Sequence, residues 1–149
     1  MIANNSKVYV DTSAFYALID RSDRYHAQAS ALWPDLLEDG IALITSNYVV
    51  WETVGLLQKR IGFAAASLWH KDILGVLDVQ WVDPAGHQKA YELWLSLGRG
   101  RKRLSLVDCV SFVTMYQHDI EKAFCFKEHF VDHGFELLRA QSERKVVKL

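Results

Sequence analysis

The chain alternates between short, unbroken apolar runs and longer stretches whose apolar residues recur every three or four positions. Val8-Tyr9-Val10 is the first such run, β-branched and aromatic, and it stops abruptly on Asp11. Thr12-Ser13 then suits the start of a helix through Ile19, followed by a charged turn over 20–24. The spacing of Ala29, Trp33, Leu36 and Leu37 predicts a second helix over 25–38, kinked or restarted at Pro34 and ended by Asp39-Gly40. Residues 41–45 read as a second buried strand. A helix from Ser46-Asn47 to about Arg60 follows, broken by Gly62, and then another over 63–76 with Ala64, Leu68 and Ile73 turned inward.

Residues 78–82 alternate as a strand does, and Pro84 opens a helix to Leu97 with Ala90, Leu93, Trp94 and Leu97 on its inner side. A basic loop, 98–103, leads into a helix from Ser105 to about His118, a strand over 122–126 and a last short strand over 135–138. Strands separated by helices predict an α/β fold, a parallel sheet of four to five strands covered by helices on both faces. The pattern contains no repeat and ends in a basic tail, 141–149, beyond a domain spanning 1–140.

Three carboxylates sit oddly in this pattern. Asp11 closes a buried strand at its carboxyl end, where open α/β sheets bind ligands. Glu52 is the one charged residue on a helical stretch otherwise apolar nearly all round. Asp108 heads an inward face that Phe112 and Met115 continue. Each has a plain structural reading: Asp11 as a helix cap, Ser105-x-x-Asp108 as a capping box, and Glu52 in an ion pair with Lys59 or Arg60. Brought together, carboxylates about 4 Å apart repel by roughly 4 kcal/mol at an effective dielectric near 20, which a hard divalent cation such as Mg²⁺ or Mn²⁺ relieves.

Composition narrows the options. Of 149 residues, half are hydrophobic and 23% charged, which is a globular composition, and a formal net charge of −1 leaves polyanion binding to local patches. The two cysteines, Cys109 and Cys125, lie in apolar runs without metal or disulfide spacing, as expected of a cytoplasmic protein. No stretch suits a signal peptide or a membrane span. Of six histidines only His129 and His133 share helical spacing.

The segments around Asp11 (Val10-Asp11-Thr12-Ser13-Ala14-Phe15-Tyr16), Glu52, Asp108 (Leu104-Ser105-Leu106-Val107-Asp108-Cys109) and Phe126-Lys127-Glu128-His129-Phe130 resemble the successive motifs of PIN-domain ribonucleases, particularly VapC-like toxins of prokaryotic toxin–antitoxin pairs. The resemblance implies a three-layer PIN-like fold and metal-dependent cleavage of RNA by an activated water. It also implies a small antitoxin partner and a homodimer. Asp11, Glu52 and Asp108 match three of the family's acids, and Thr12 or Ser13 its polar companion. Lys127 stands where the family commonly has a fourth aspartate, with Glu128 adjacent as a substitute ligand. Arg99, Arg101, Lys102 and Arg103, just before Asp108, suit the phosphates of an RNA substrate. Two alternatives remain: a PIN fold weakened at Lys127 that binds RNA or protein without cutting, and a phosphatase using Asp11 as nucleophile.

Overall fold

The computed structural model describes residues 6–38, 40–97, 99 and 104–139. Five parallel strands, β1 Lys7–Val10, β2 Ala42–Ser46, β3 Asp78–Gln80, β4 Lys122–Phe124 and β5 Glu136–Leu137, form one sheet in the order β3-β2-β1-β4-β5. Parallel pairing needs crossover connections, and helices supply them: α1 Thr12–Ile19, α2 His26–Leu36, α3 Asn47–Arg60, α4 Phe63–Ile73, α5 Pro84–Leu97, α6 Leu106–Gln117 and α7 His129–Asp132. The result is the expected three-layer α/β architecture. Val8, Tyr9 and Val10 are fully buried, as an unbroken apolar run should be when helices cover both faces of a sheet.

The strand order fixes where a ligand can sit. After β1 the chain adds β2 and β3 on one side, then returns to place β4 on the other. That reversal is a topological switch point, and the crevice opens beyond the carboxyl ends of β1 and β4. Tyr9 pins this region from below, its hydroxyl donating to Ser111 Oγ at 2.8 Å inside the core. Thr45 Oγ1 likewise donates to the Val10 carbonyl at 2.8 Å, tying β2 to the last residue of β1.

Several local expectations are corrected. The α2 helix runs through Pro34 to Leu36 without restarting, because a proline in the last turn forfeits little helix beyond it. On α4 the buried residues are Ala66 and Trp69, while Ala64 and Leu68 are exposed. Trp69 decides the phase: its ring packs edge-on against Phe15, centroids 5.0 Å apart. Trp94 of α5 is exposed rather than inward. β3 stops at Gln80 because the Val82 amide leaves the ladder and donates to Asn47 Oδ1 at 2.9 Å. β4 ends two residues early for a similar reason, the Phe126 amide donating to Ser13 Oγ at 3.0 Å. Among the described residues no helix is long and apolar enough to cross a membrane. Cys109 and Cys125 are free and buried.

Candidate active site

Asp11 follows β1 directly and is wholly buried. Its backbone amide continues the ladder to the Phe124 carbonyl at 3.1 Å, so its position is set by the sheet. Asp11 does cap α1: its Oδ2 accepts from the Ser13 amide at 3.0 Å and the Ser13 hydroxyl at 2.7 Å. Those bonds use one carboxylate oxygen only. Oδ1 is buried without a hydrogen-bond partner among the described residues, a costly state for a carboxylate oxygen and the mark of a site that takes a further ligand.

Asp108 also serves two roles. With Ser105 it forms the complete capping box of α6, the Ser105 amide donating to its Oδ2 and the Ser105 hydroxyl accepting from its amide, each at 3.0 Å. The same carboxylate meets a lysine and a histidine. Lys127 Nζ lies 2.9 Å from Oδ1, and His129 Nε2 lies 3.0 Å from Oδ2. Burial alone would raise the Asp108 carboxyl; the His129 bond, the Lys127 charge and the Ser105 amide outweigh it and hold the group at about 2. The unfolded carboxyl, near 3.9, binds protons more tightly, so this environment contributes about 2–3 kcal/mol above roughly pH 5 and loses it as pH falls toward 2. Urea midpoints should therefore show wild type losing its advantage over Asp108→Asn between pH 6 and pH 3. A difference that stays constant over this interval would contradict the assigned environment.

Lys127 is the departure from the family pattern, and the structure gives it a place. It is largely buried between two acids: besides Asp108, its ammonium lies 3.7 Å from Asp11 Oδ2. Burial opposes its charge, but Asp11 and Asp108 outweigh that and push its pKa up, so the ammonium is a permanent counter-charge. Glu52, on α3, is half-buried and completes the acidic rim. Burial raises its carboxyl, a hydrogen bond with Thr12 and the Lys127 charge oppose this, and Asp11 and Asp108 add to the rise. No ion pair to Glu52 exists among the described residues; Arg60 lies over the Tyr16 ring instead, at 5.3 Å. Thr12 also accepts from Thr53 Oγ1 at 3.1 Å, which fixes α1 against α3 at this rim.

The acids as they stand do not form a ready metal cage: no three His, Cys, Asp or Glu side chains among the described residues are grouped to hold an ion. Their chemistry nonetheless fits one hard divalent cation. Asp11 Oδ1 needs a partner, and Glu52 forms no ion pair among the described residues, with only the Lys127 charge acting on it nearby. The Lys127 ammonium takes up the rest of the negative charge.

The other candidates separate. Glu128 does not join the acids. It precedes the short α7 turn without a capping bond, is 78% exposed, and pairs with Arg139 Nη2 at 3.1 Å, because the chain bends away from the sheet just after Lys127. Arg99 is exposed. Arg101, Lys102 and Arg103 lie outside the described residues. His129 was legible as a histidine but not as a site residue. Its bond to Asp108 spans 21 positions in sequence, and its helical spacing to His133 points elsewhere. The phosphatase alternative has neither the second aspartate of a D-x-D pair after Asp11 nor a Gly-rich phosphate loop. A cavity of about 420 Å³ opens over the acids, lined by Glu52, Ser105, Asp108 and Lys127 and, on its apolar side, by Tyr25, Leu56 and Phe126.

A parallel sheet whose switch point carries acids from the end of β1, from α3 and from the first turn of α6 defines an α/β protein of the acidic-pocket class. The chain belongs to the PIN domain family, whose profile matches residues 8–136. It is 33% identical over 135 residues to the 23S rRNA-specific endonuclease VapC20 of Mycobacterium tuberculosis, covering 90% of this chain and 99% of that protein. The crystal structure of that VapC20, described as a sarcin-ricin loop cleaving toxin, superposes with a TM-score of 0.78 over 89% of this chain and 98% of the other. VapBC2 from Rickettsia felis, bound to a DNA fragment from its promoter, shares the fold at a TM-score of 0.66 and 10% identity, over 89% of this chain and 97% of that one.

Proposed function

We propose that this protein is a metal-dependent endoribonuclease, the toxin of a toxin–antitoxin pair. The observation that carries the reading is the buried Asp11 Oδ1, unpartnered among the described residues, behind a cavity that Glu52, Asp108 and Lys127 line together with Thr12 and Ser13, its own chain neighbours. Membership of the PIN family and the relation to an rRNA endonuclease support it.

In this reading Asp11, Glu52 and Asp108 hold Mg²⁺ or Mn²⁺. Such an ion, when bound, lowers the pKa of a water and offsets charge on the phosphodiester. The chain's own groups do the rest. Ser13 locks Asp11 Oδ2 through two bonds and leaves Oδ1 turned to the ligand. His129 and Ser105 fix the Asp108 carboxylate. Lys127 reduces the repulsion that a phosphate would meet from the three acids. A second reading, a binding module without activity, draws on the same Lys127, whose ammonium stands close to both Asp108 and Asp11. Incubating purified protein with rRNA and mapping new 5′ ends separates the two. Discrete cleavage supports the nuclease, and retained but intact RNA supports the module.

The phosphate contacts are assigned to Arg99, Arg101, Lys102 and Arg103. Replacing Arg101, Lys102 and Arg103 with alanine is expected to weaken RNA binding and to lower the slope of log K against log salt, by up to about 0.7 for each single-strand phosphate that the protein no longer neutralises. Thermal stability is expected to change little. An unchanged slope would place the RNA elsewhere. The antitoxin and the homodimer are part of the same proposal. Trp51 and Phe63, 64% and 75% exposed on and beside α3, mark the surface for a partner protein. Sedimentation at tens of micromolar tests the dimer, and a strict monomer would contradict it.

A further inference from the structure

Phosphodiester hydrolysis at an acidic centre does not require an aromatic wall, yet this cavity has one. The Phe126 ring lies flat on Tyr25, centroids 4.6 Å apart and planes within 6°. Phe126 is itself anchored to the catalytic region, because its amide donates to the Ser13 hydroxyl that holds Asp11. The Arg24 guanidinium sits 4.9 Å from the centre of the Tyr25 ring. Since Phe126 fills one face of that ring, Arg24 covers the other. Arg24 is exposed and makes no hydrogen bond or ion pair among the described residues, so its donors are unspent. Asp23 lines the same cavity; its Oδ2 accepts from the Tyr25 amide at 3.0 Å, and Oδ1 has no partner among the described residues.

We propose that Tyr25, backed by Phe126, is a stacking platform for one base of the RNA, which enters between Tyr25 and Arg24 and presents its edge to Asp23. This rests on the reading that the ligand is RNA. A delocalised guanidinium and an aromatic face are each good stacking partners for a base, so an inserted base replaces one cation–π interaction with two stacked ones. The Arg24 donors stay free for a neighbouring phosphate. Asp23, an acceptor only, favours an edge that offers hydrogens. Guanine presents N1–H and N2–H₂ side by side, whereas uracil presents two carbonyls flanking a single N–H. The platform therefore selects guanine over uracil at one position.

The test is binding in EDTA, where turnover under the nuclease reading is absent, using short single-stranded RNAs. One series varies a single base, and a second carries 2-aminopurine, whose emission is quenched by stacking. Tyr25→Leu keeps apolar packing on Phe126 but removes the ring, and Tyr25→Phe keeps the ring. Wild type and Tyr25→Phe should quench 2-aminopurine at one position, and Tyr25→Leu should not. Affinity should fall about 5- to 150-fold in Tyr25→Leu, and Asp23→Asn should narrow the guanine preference. Equal affinity and equal quenching in wild type and Tyr25→Leu would overturn the platform, as would no RNA binding by wild type. Cleavage assayed separately with the divalent ion then shows whether the nuclease reading stands without it.

Discussion

Asp11→Asn is expected to lower RNA cleavage by at least about a hundredfold, the scale on which removal of one preorganised electrostatic group acts. Asparagine keeps the shape of aspartate, so the bonds from the Ser13 amide and hydroxyl can be retained. What disappears is the charge at Oδ1, the buried oxygen that has no hydrogen-bond partner among the described residues. Removing a carboxylate from an acidic cluster also relieves repulsion. The melting temperature should therefore hold or rise, even without the weak attraction to Lys127 at 3.7 Å. Cleavage of end-labelled RNA and a thermal melt on the same preparation check both halves. A variant that cuts at the wild-type rate would remove Asp11 from the site.

Lys127 carries the second large effect. Lys127→Ala leaves the buried Asp108 without its 2.9 Å cation and Asp11 without the nearby ammonium. Breaking a buried pair from one side costs about 3–5 kcal/mol; with the lysine side chain 29% exposed the low end applies, about 3 kcal/mol or roughly 6–12 °C. The destabilisation should be largest without divalent metal and should shrink on adding Mn²⁺, since an ion can then neutralise the same oxygens. Lys127→Asp exchanges the ammonium for an oxygen donor. It should bind Mn²⁺ more tightly and show activity at lower Mg²⁺ than wild type. Identical metal titrations for wild type and Lys127→Asp would mean that the ammonium does not compete with an ion.

The sequence already displayed much of the frame, for a physical reason. Val8-Tyr9-Val10 is apolar on both faces, which only a covered parallel strand tolerates, and the abrupt change to Asp11 marks the strand's end. Asp108 and Ser105 signal their cap through a fixed spacing that acts locally. The phase of α4 was illegible because Ala64, Leu68 and Ile73 form as good a stripe as Ala66 and Trp69 do. The partner that decides, Phe15, is distant in sequence. Glu128 looked available as a ligand until the bend after Lys127 turned it toward Arg139. His129 on Asp108, Thr53 on Thr12 and Phe126 on Tyr25 are long-range interactions between elements, and no periodicity encodes them.

The central claim is that the acidic cavity cuts RNA through a divalent ion while Lys127 stands in for the family's fourth acid. The most direct measurement is cleavage of end-labelled single-stranded RNA by wild-type protein over graded Mg²⁺, with an EDTA-treated control. The account predicts no cleavage in EDTA and recovery on adding Mg²⁺ or Mn²⁺ in excess of the chelator. Cleavage undiminished in EDTA, at a rate that Asp11→Asn also abolishes, would keep the site and contradict the metal.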